Sequence, residues 1–371
     1  MCKAGNNRMK KRFAVALGFV VLLVLLLQSR AVQGVLIGWY LPGFPHPQDA
    51  VTALADDAAG AIHFRTASPF DLDVVLGGMK GATPTTGLGY LTMPETASAA
   101  DPVPAMVILP GSGGISPGRE HEYAELLERN GIAAFVIEYY LPRGMTADFP
   151  YAVRTSSVTE FDIITDAYSA LVLLSTSARI DPRRIGVMGF SYGGMAARLA
   201  MDERFRRVLA PDLPGFALHV DFYGPCFQKL GTTRASDVPL LTLRGSDDNS
   251  NDLAACAARQ RELEALGVSV ETHIFPGAGH AWEVASPRAL RDNPYLRGCE
   301  VGYDDKGFSY LDDRRITNLA PGASRFERIA ARITSGAAYD DCLHHGYIVG
   351  HDGQSTRKGH ELLLAFLARH F

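Results

Sequence analysis

The chain has 371 residues, 47% of them hydrophobic and 20% charged, and carries a formal net charge of -4. That balance supports a full buried core in one large domain and excludes a disordered or fibrous chain. No basic stripe or interleaving of aromatic and basic residues is present, which excludes a nucleic-acid partner.

The N-terminus reads as an export segment. Lys3, Arg8, Lys10, Lys11 and Arg12, with no acid nearby, precede the apolar run Phe13 to Leu27, the order of a basic n-region and an apolar h-region. Ser29-Arg30-Ala31 supplies small residues for cleavage near Ala31, so residues 1–31 are expected to be a signal peptide. Val32, Leu36, Ile37, Trp39 and Tyr40 prolong the apolar character, and an uncleaved N-terminal anchor with its basic end inside is the alternative. The expected location is therefore periplasmic or secreted, with membrane contact only through this segment. Loss of residues 1–31 removes six cations and no anion, leaving an acidic body of formal charge -10.

Along the rest of the chain, Leu72 to Leu76 and Leu88 to Met93, separated by glycines and threonines, predict an antiparallel hairpin. Short apolar runs then alternate with amphipathic ones, the pattern of parallel strands joined by helices. Strands are expected at Ala105 to Leu109, Ile132 to Ile137, Ile185 to Met188, Ala217 to Phe222, Leu240 to Leu243 and Val268 to Phe275. Helices are expected at Glu120 to Arg129, Val158 to Ser177, Gly194 to Met201 and Asp252 to Leu266. In the longest, Phe161, Ile164, Tyr168, Leu171 and Leu174 mark one face at helical spacing. The fold class is α/β, a doubly wound and mostly parallel sheet in a single domain over 32–371. Residues 283–354, rich in Arg, Asp, Gly and Tyr with little periodicity, read as an inserted excursion before an amphipathic closing helix from Arg357 to His370.

Four cysteines lie outside the export segment, Cys226, Cys256, Cys299 and Cys342, an even number in a compartment where disulfides persist. They allow three pairings, and the sequence does not choose among them. Cys226 with Cys256 is preferred because each follows the end of a predicted core strand, and Cys299 with Cys342 because it closes the excursion. Asp340, Asp341, His344 and His345 around Cys342 read as surface polar residues beside a bridge rather than metal ligands. No metal or organic cofactor is expected.

The chemistry is carried by Gly189-Phe190-Ser191-Tyr192-Gly193-Gly194, between a strand pattern and a helix pattern. A turn that sharp leaves room only for small residues two positions either side of the serine, whose hydroxyl stands exposed over a helix N-terminus. A serine needs a histidine to take its proton and a carboxylate to fix the imidazole. The required order is met by Asp247 or Asp248, after the strand Leu240 to Leu243, and by His280, after the strand ending at Phe275. Either aspartate alone is equally suited to capping the next helix, and His280 alone is one of 11 histidines; the ordered set at one sheet edge is the stronger sign. The oxyanion donors are expected to be the Tyr192 N-H and that of Ser112 or Gly113, in the glycine-rich loop after the first parallel strand.

With these residues in view, the stretch from about Ala105 to His280, with the closing helix, resembles the dienelactone hydrolase family of α/β-hydrolases. The resemblance rests on Pro110-Gly111-Ser112-Gly113-Gly114, the Arg119 to Gly131 helix, Tyr139-Tyr140 with Arg143-Gly144, and Pro276-Gly277-Ala278-Gly279-His280. It implies the fold, a Ser191, His280 and aspartate triad, and ester hydrolysis. The family pattern puts the acid three residues after the glycine, which implies Asp248 over Asp247. Cys226 and Cys256 resemble a pair found in a secreted-type branch of the family. Members that cleave dienelactone carry a cysteine nucleophile where this chain has Ser191, which puts that substrate in doubt. Tyr139, Tyr140 and Arg143 are candidates to line a pocket, or else a packed aromatic pair with a surface arginine. Residues 283–354, starting directly after the His280 loop, are expected to cap the site.

The expected substrate is a small-molecule or polymer-linked ester or lactone. Two other readings share the residues. One is a prolyl oligopeptidase-like peptidase, although the stretch before the sheet is too short for the propeller of such enzymes. The other is a catalytically inactive binding module on the same scaffold.

Overall fold

The computed structural model describes residues 26–41, 43–44, 49–317, 319–320 and 322–371. The basic run of the expected export segment and the apolar run up to residue 25 lie outside them. Among the described residues, no helix is long and apolar enough to cross a membrane.

Strands β1 (Gly60–Ser68), β2 (Thr83–Thr92), β3 (Val103–Leu109), β4 (Ala133–Glu138), β5 (Ile180–Phe190) and β6 (His219–Phe222) belong to the central sheet. After a short β7 (Gln228–Lys229) outside it, β8 (Leu240–Gly245) and β9 (Val270–Phe275) complete it in the order β1-β2-β4-β3-β5-β6-β8-β9. Pairing is antiparallel from β1 to β4 and parallel from there to β9. Successive side chains of a strand point to opposite faces, so a strand covered on both sides must be apolar throughout. In β3, Ala105, Val107 and Leu109 pack into one layer and Met106 and Ile108 into the other. The first layer includes the helix Glu160–Leu174, the second the helix Glu120–Arg129 and the closing helix Gly353–His370. The long helix starts at Glu160 because Thr159 and Asp162 form a reciprocal capping box.

The upstream hairpin differs from expectation. Leu72–Leu76 is one turn of helix, not a strand, and the partner of β2 is β1. The segment does not alternate, and a single turn aims both Asp71 and Asp73 at Arg328, 2.6 and 2.9 Å away. The inward face of β1 carries Phe64, Thr66 and Ser68, so two of its three buried positions are polar. Those two serve a buried ion pair. Arg143 donates to both Asp166 carboxylate oxygens at 2.7 and 3.0 Å and to Ser68 Oγ at 2.8 Å, while Thr66 donates to Asp166 at 2.8 Å.

The excursion, with little periodicity over most of its length, forms strands and a helix. β10 (Ala289–Leu296) pairs antiparallel with β14 (Leu343–Val349). Between them β11 (Val301–Tyr303), β12 (Ser309–Leu311) and β13 (Arg314–Arg315) form a small sheet with β7. A helix, Arg325–Thr334, follows, its start fixed by a Ser324–Glu327 capping box.

Both disulfides follow the preferred pairing, Cys226 with Cys256 and Cys299 with Cys342. The first ties the loop after β6 to the helix Leu253–Ala265. Replacing Cys226 and Cys256 together by alanine should cost about 2–4 kcal/mol, since a crosslink of this kind restricts the unfolded chain. Denaturant unfolding that matches the parent chain would show that the bridge contributes nothing.

Candidate active site

Ser191 stands between β5 and the helix Tyr192–Leu199 with φ 53° and ψ -116°, a strained conformation for a residue with a side chain. The elbow is closed by close backbone approach. A Cβ at Gly189 would lie 2.2 Å from the Gly193 carbonyl, and one at Gly193 2.2 Å from the Leu109 carbonyl oxygen. Only hydrogen fits at either position.

The residues that the sequence places at one edge are in contact. His280 Nε2 lies 2.9 Å from Ser191 Oγ, and His280 Nδ1 lies 2.7 Å from Asp248 Oδ2. Asp248 and His280 are both buried, whereas Asp247 points outward to Arg288 at 3.1 Å. Burial alone would raise the Asp248 carboxyl. The His280 charge and the hydrogen bonds from His280 and Ser250 outweigh it and hold the group below the ordinary carboxylate range.

Asp248 is fixed from behind. Asn251 Nδ2 donates to Asp248 Oδ2 and to the Tyr223 carbonyl, each at 2.8 Å, and Arg244 Nη1 donates to Asn251 Oδ1. Arg244 is held in turn by Asp221 at 2.7 Å, a carboxylate that also takes Arg198 at 3.1 Å and the Gly224 N-H at 2.7 Å. Ser250 Oγ donates to Asp248 Oδ1 at 2.5 Å and lies 3.2 Å from His280 Nδ1. Sequence inspection missed Ser250, Asn251, Arg244 and Asp221. Ser250 and Asn251 carry a local sign, a dense run of small polar residues after β8, whereas Asp221 and Arg244 are charged residues inside the strands β6 and β8.

Opposite His280, the loop Gly111 to Gly114 closes on itself through Gly114 N-H to Gly111 O at 2.8 Å. Ser112 and Gly113 both border the cleft beside Ser191. Tyr139 and Tyr140 lie behind this loop, not in the cleft: Tyr139 OH donates to Gly111 O and Tyr140 OH to Ser112 O at 2.8 Å. Their rings pack together at 4.5 Å. Arg143 borders neither cavity beside Ser191 and is not at the surface, because its pairing with Asp166 draws it into the core. Tyr192 borders the smaller cavity beside Ser191, and its hydroxyl is anchored by Glu160, a buried carboxylate that also accepts from Gln228 and stands near Arg332 at 3.8 Å.

Two cavities flank Ser191, of about 420 and 270 Å³. Tyr347 of β14 borders both, and its ring meets the His280 ring edge-on at 5.2 Å. β14 also grips the histidine loop: His280 N-H donates to Ile348 O at 2.7 Å, and Gly350 N-H to His280 O at 3.1 Å. Tyr151 also borders both cavities; the larger is completed by Arg119, Val284 and Asn293, the smaller by Phe227, Tyr295, Leu343 and Arg332.

Such a serine, histidine and aspartate series at the carboxyl edge of a mostly parallel sheet defines an α/β-hydrolase. The chain belongs to the dienelactone hydrolase family, whose model matches residues 88–307, and it is a carboxylic-ester hydrolase. A protein of Bradyrhizobium sp named "Probable 2-oxo-3-(5-oxofuran-2-ylidene)propanoate lactonase" is 24% identical over 54% of this chain and 81% of its own. A "Putative carboxymethylenebutenolidase" of Methylorubrum extorquens is 23% identical over 68% and 83% respectively. Among solved structures, the apo form of Thermogutta terrifontis esterase 2 is 20% identical, with 54% of this chain and 82% of that one covered and a TM-score of 0.44.

Glu283, three residues past His280, is buried with its carboxylate 2.6 Å from Tyr223 OH, and the Tyr223 ring packs on His280 at 4.7 Å. Burial raises this carboxyl to about 7, against the opposing hydrogen bond from Tyr223 and the charge of Arg119. An acid whose folded pKa is raised stabilises the fold below its unfolded value, and that contribution is lost as pH rises through the folded value. Glu283→Gln should therefore flatten the decline in stability between about pH 4.5 and 7, by on the order of 3 kcal/mol. Asp71, raised to about 6 by burial, leaves a residual slope of the same sign. Thermal melts across that range check this, and an unaltered slope would contradict it.

Proposed function

We propose that the chain cleaves carboxylic esters or lactones through an acyl-enzyme on Ser191. The observation that carries the reading is the unbroken series from Ser191 Oγ through His280 to Asp248, at 2.9 and 2.7 Å. Ser191 Oγ attacks the carbonyl carbon while His280 Nε2 takes its proton. Asp248, held ionised, accepts from Nδ1-H and stabilises the imidazolium. The carbonyl oxygen, now negative, is received by the Tyr192 N-H at the helix start and by the Ser112 or Gly113 N-H. As the tetrahedral centre collapses, His280 returns the proton to the leaving alkoxide. Water then attacks the acyl group with the same base, and Ser191 is released. In a lactone the leaving oxygen stays tethered to the acyl part, so a single hydroxy acid results.

In this reading residues 283–354 cap the site, and Tyr347 divides an acyl from an alcohol pocket. Support comes from the position of Tyr347 between the two cavities. The names of the two relatives, a lactonase and a carboxymethylenebutenolidase, make cyclic esters the first class to assay beside short-chain aryl esters.

Ser191→Ala should lower kcat on aryl esters by about 10⁴-fold or more and abolish labelling by a fluorophosphonate. Equal rates, or a parent chain that takes no label, would overturn the reading. Asp248→Asn should lose about 10⁴-fold in kcat with the fold intact, because the amide favours the wrong imidazole tautomer. Tyr347→Ala should raise KM for aryl esters about tenfold, the loss of one aromatic contact, and leave labelling of Ser191 in place. A fall in kcat alone would instead place Tyr347 in the chemistry of His280.

A further inference from the structure

The helix Arg30–Tyr40 is apolar on two faces. Its inner face packs on Arg325–Thr334 through Gly34 and Gly38: a Cβ at Gly34 would come within 2.7 Å of Glu327, and one at Gly38 within 3.3 Å of Phe326. Its outer face is Ala31, Val35, Leu36, Trp39 and Tyr40, spaced so that all five share one side. Trp39 is 82% exposed and Tyr40 60%. Residues 26–28 are helical as well, and Leu27 extends the same line at Ala31 minus four. Six of the fifteen exposed large hydrophobic residues among the described residues fall within 26–40, so the cluster is not the ordinary scatter of surface apolar side chains.

We infer that this outer face rests on the surface of a lipid bilayer. Three features select lipid over a second copy of the chain. The stripe contains no charge. It follows within a few residues of the apolar run Phe13 to Leu27, which is preceded by the basic residues Lys3 to Arg12, the charge order of a segment that meets a membrane with its basic end inside. It ends in a tryptophan and a tyrosine, side chains that settle at headgroup depth. Because Gly34 and Gly38 are docked on the body, the helix lies along the interface and does not enter the hydrocarbon. Val35, Leu36, Trp39 and Tyr40 follow Ala31, so they remain in the chain whether or not cleavage occurs there. The face is close to the active site. The helix it packs on carries Arg332 into the smaller cavity beside Ser191, so the contact seats the capped side of the enzyme against the membrane.

The chain has two tryptophans, and Trp282 is fully buried, which makes Trp39 a reporter of this face. The full-length protein is mixed with phosphatidylcholine vesicles whose acyl chains are brominated. The expected result is co-flotation, quenching of Trp39 emission by the bromines, and loss of its quenching by aqueous acrylamide. Trp39→Phe should remove both changes, and Val35→Glu with Leu36→Glu should weaken the bromine quenching while ester hydrolysis and melting temperature hold. Failure to float overturns the proposal, as does a vesicle-bound protein whose Trp39 stays open to acrylamide. Bromine quenching unchanged by the double glutamate variant also overturns it. So does acrylamide protection that appears without lipid and grows with protein concentration, which would assign the face to a second copy.

Discussion

The buried Asp221 carboxylate is the constraint on which the site depends. It sits at the carboxyl end of β6 and holds Arg198 from the elbow helix, Arg244 from β8 and the Gly224 N-H of the next loop. A carboxylate between two guanidiniums is costly to desolvate, and such a group persists only when its hydrogen bonds are satisfied in a fixed geometry. That fixity is transmitted outward. Arg244 sets Asn251, Asn251 sets Asp248, and Asp248 sets the imidazole of His280 over Ser191. The ends of β6 and β8 and the elbow helix are thus locked together by one anion, and the spacing of Ser191, His280 and Asp248 follows from that lock.

A second set of contacts fixes the other side of the cleft. The phenols of Tyr139 and Tyr140 hold the carbonyls of Gly111 and Ser112, and so set where the neighbouring N-H groups point. Glu160 anchors the Tyr192 side chain, whose backbone N-H begins the elbow helix. Donors that act on a developing oxyanion are effective only if they need not reorganise during the reaction. The same Glu160 lies near Arg332 of the excursion, and β14 grips the histidine loop by two backbone hydrogen bonds. The excursion therefore contacts both the histidine loop and the carboxylate that anchors Tyr192.

The parts legible in the sequence are those fixed by local backbone geometry. The elbow needs glycine at 189 and 193, and the parallel strands need unbroken apolar runs because both faces are covered. Both requirements are written within a few residues. What escaped reading depends on partners far along the chain. β1 carries Thr66 and Ser68 inward, against any hydrophobic pattern, because they serve Arg143 and Asp166. Arg143 looked like a surface or pocket residue for the same reason, since the acid that draws it inward lies 23 residues later. The helix Arg325–Thr334 does carry local signs, in its Ser324 and Glu327 capping box and in Phe326, Ile329, Ala330 and Ile333 at helical spacing.

The distribution of polar groups separates the two roles that one sheet edge must combine. Asp248 is surrounded by donors and held ionised, whereas for Glu283, only three residues beyond His280, burial outweighs the Tyr223 hydrogen bond and the charge of Arg119 and pushes it up to about 7. Two carboxyls on either side of the same imidazole thus sit in opposite electrostatic environments. The charged one contacts Nδ1, where an imidazolium gains from it; the other is screened from the ring by Tyr223, which packs between them. Were both ionised and in contact with His280, the ring would be held as a cation, unfit for the base role proposed for it. The tyrosine therefore does for the histidine what the glycines do for the serine: it keeps a group that the fold requires from blocking the group that reacts.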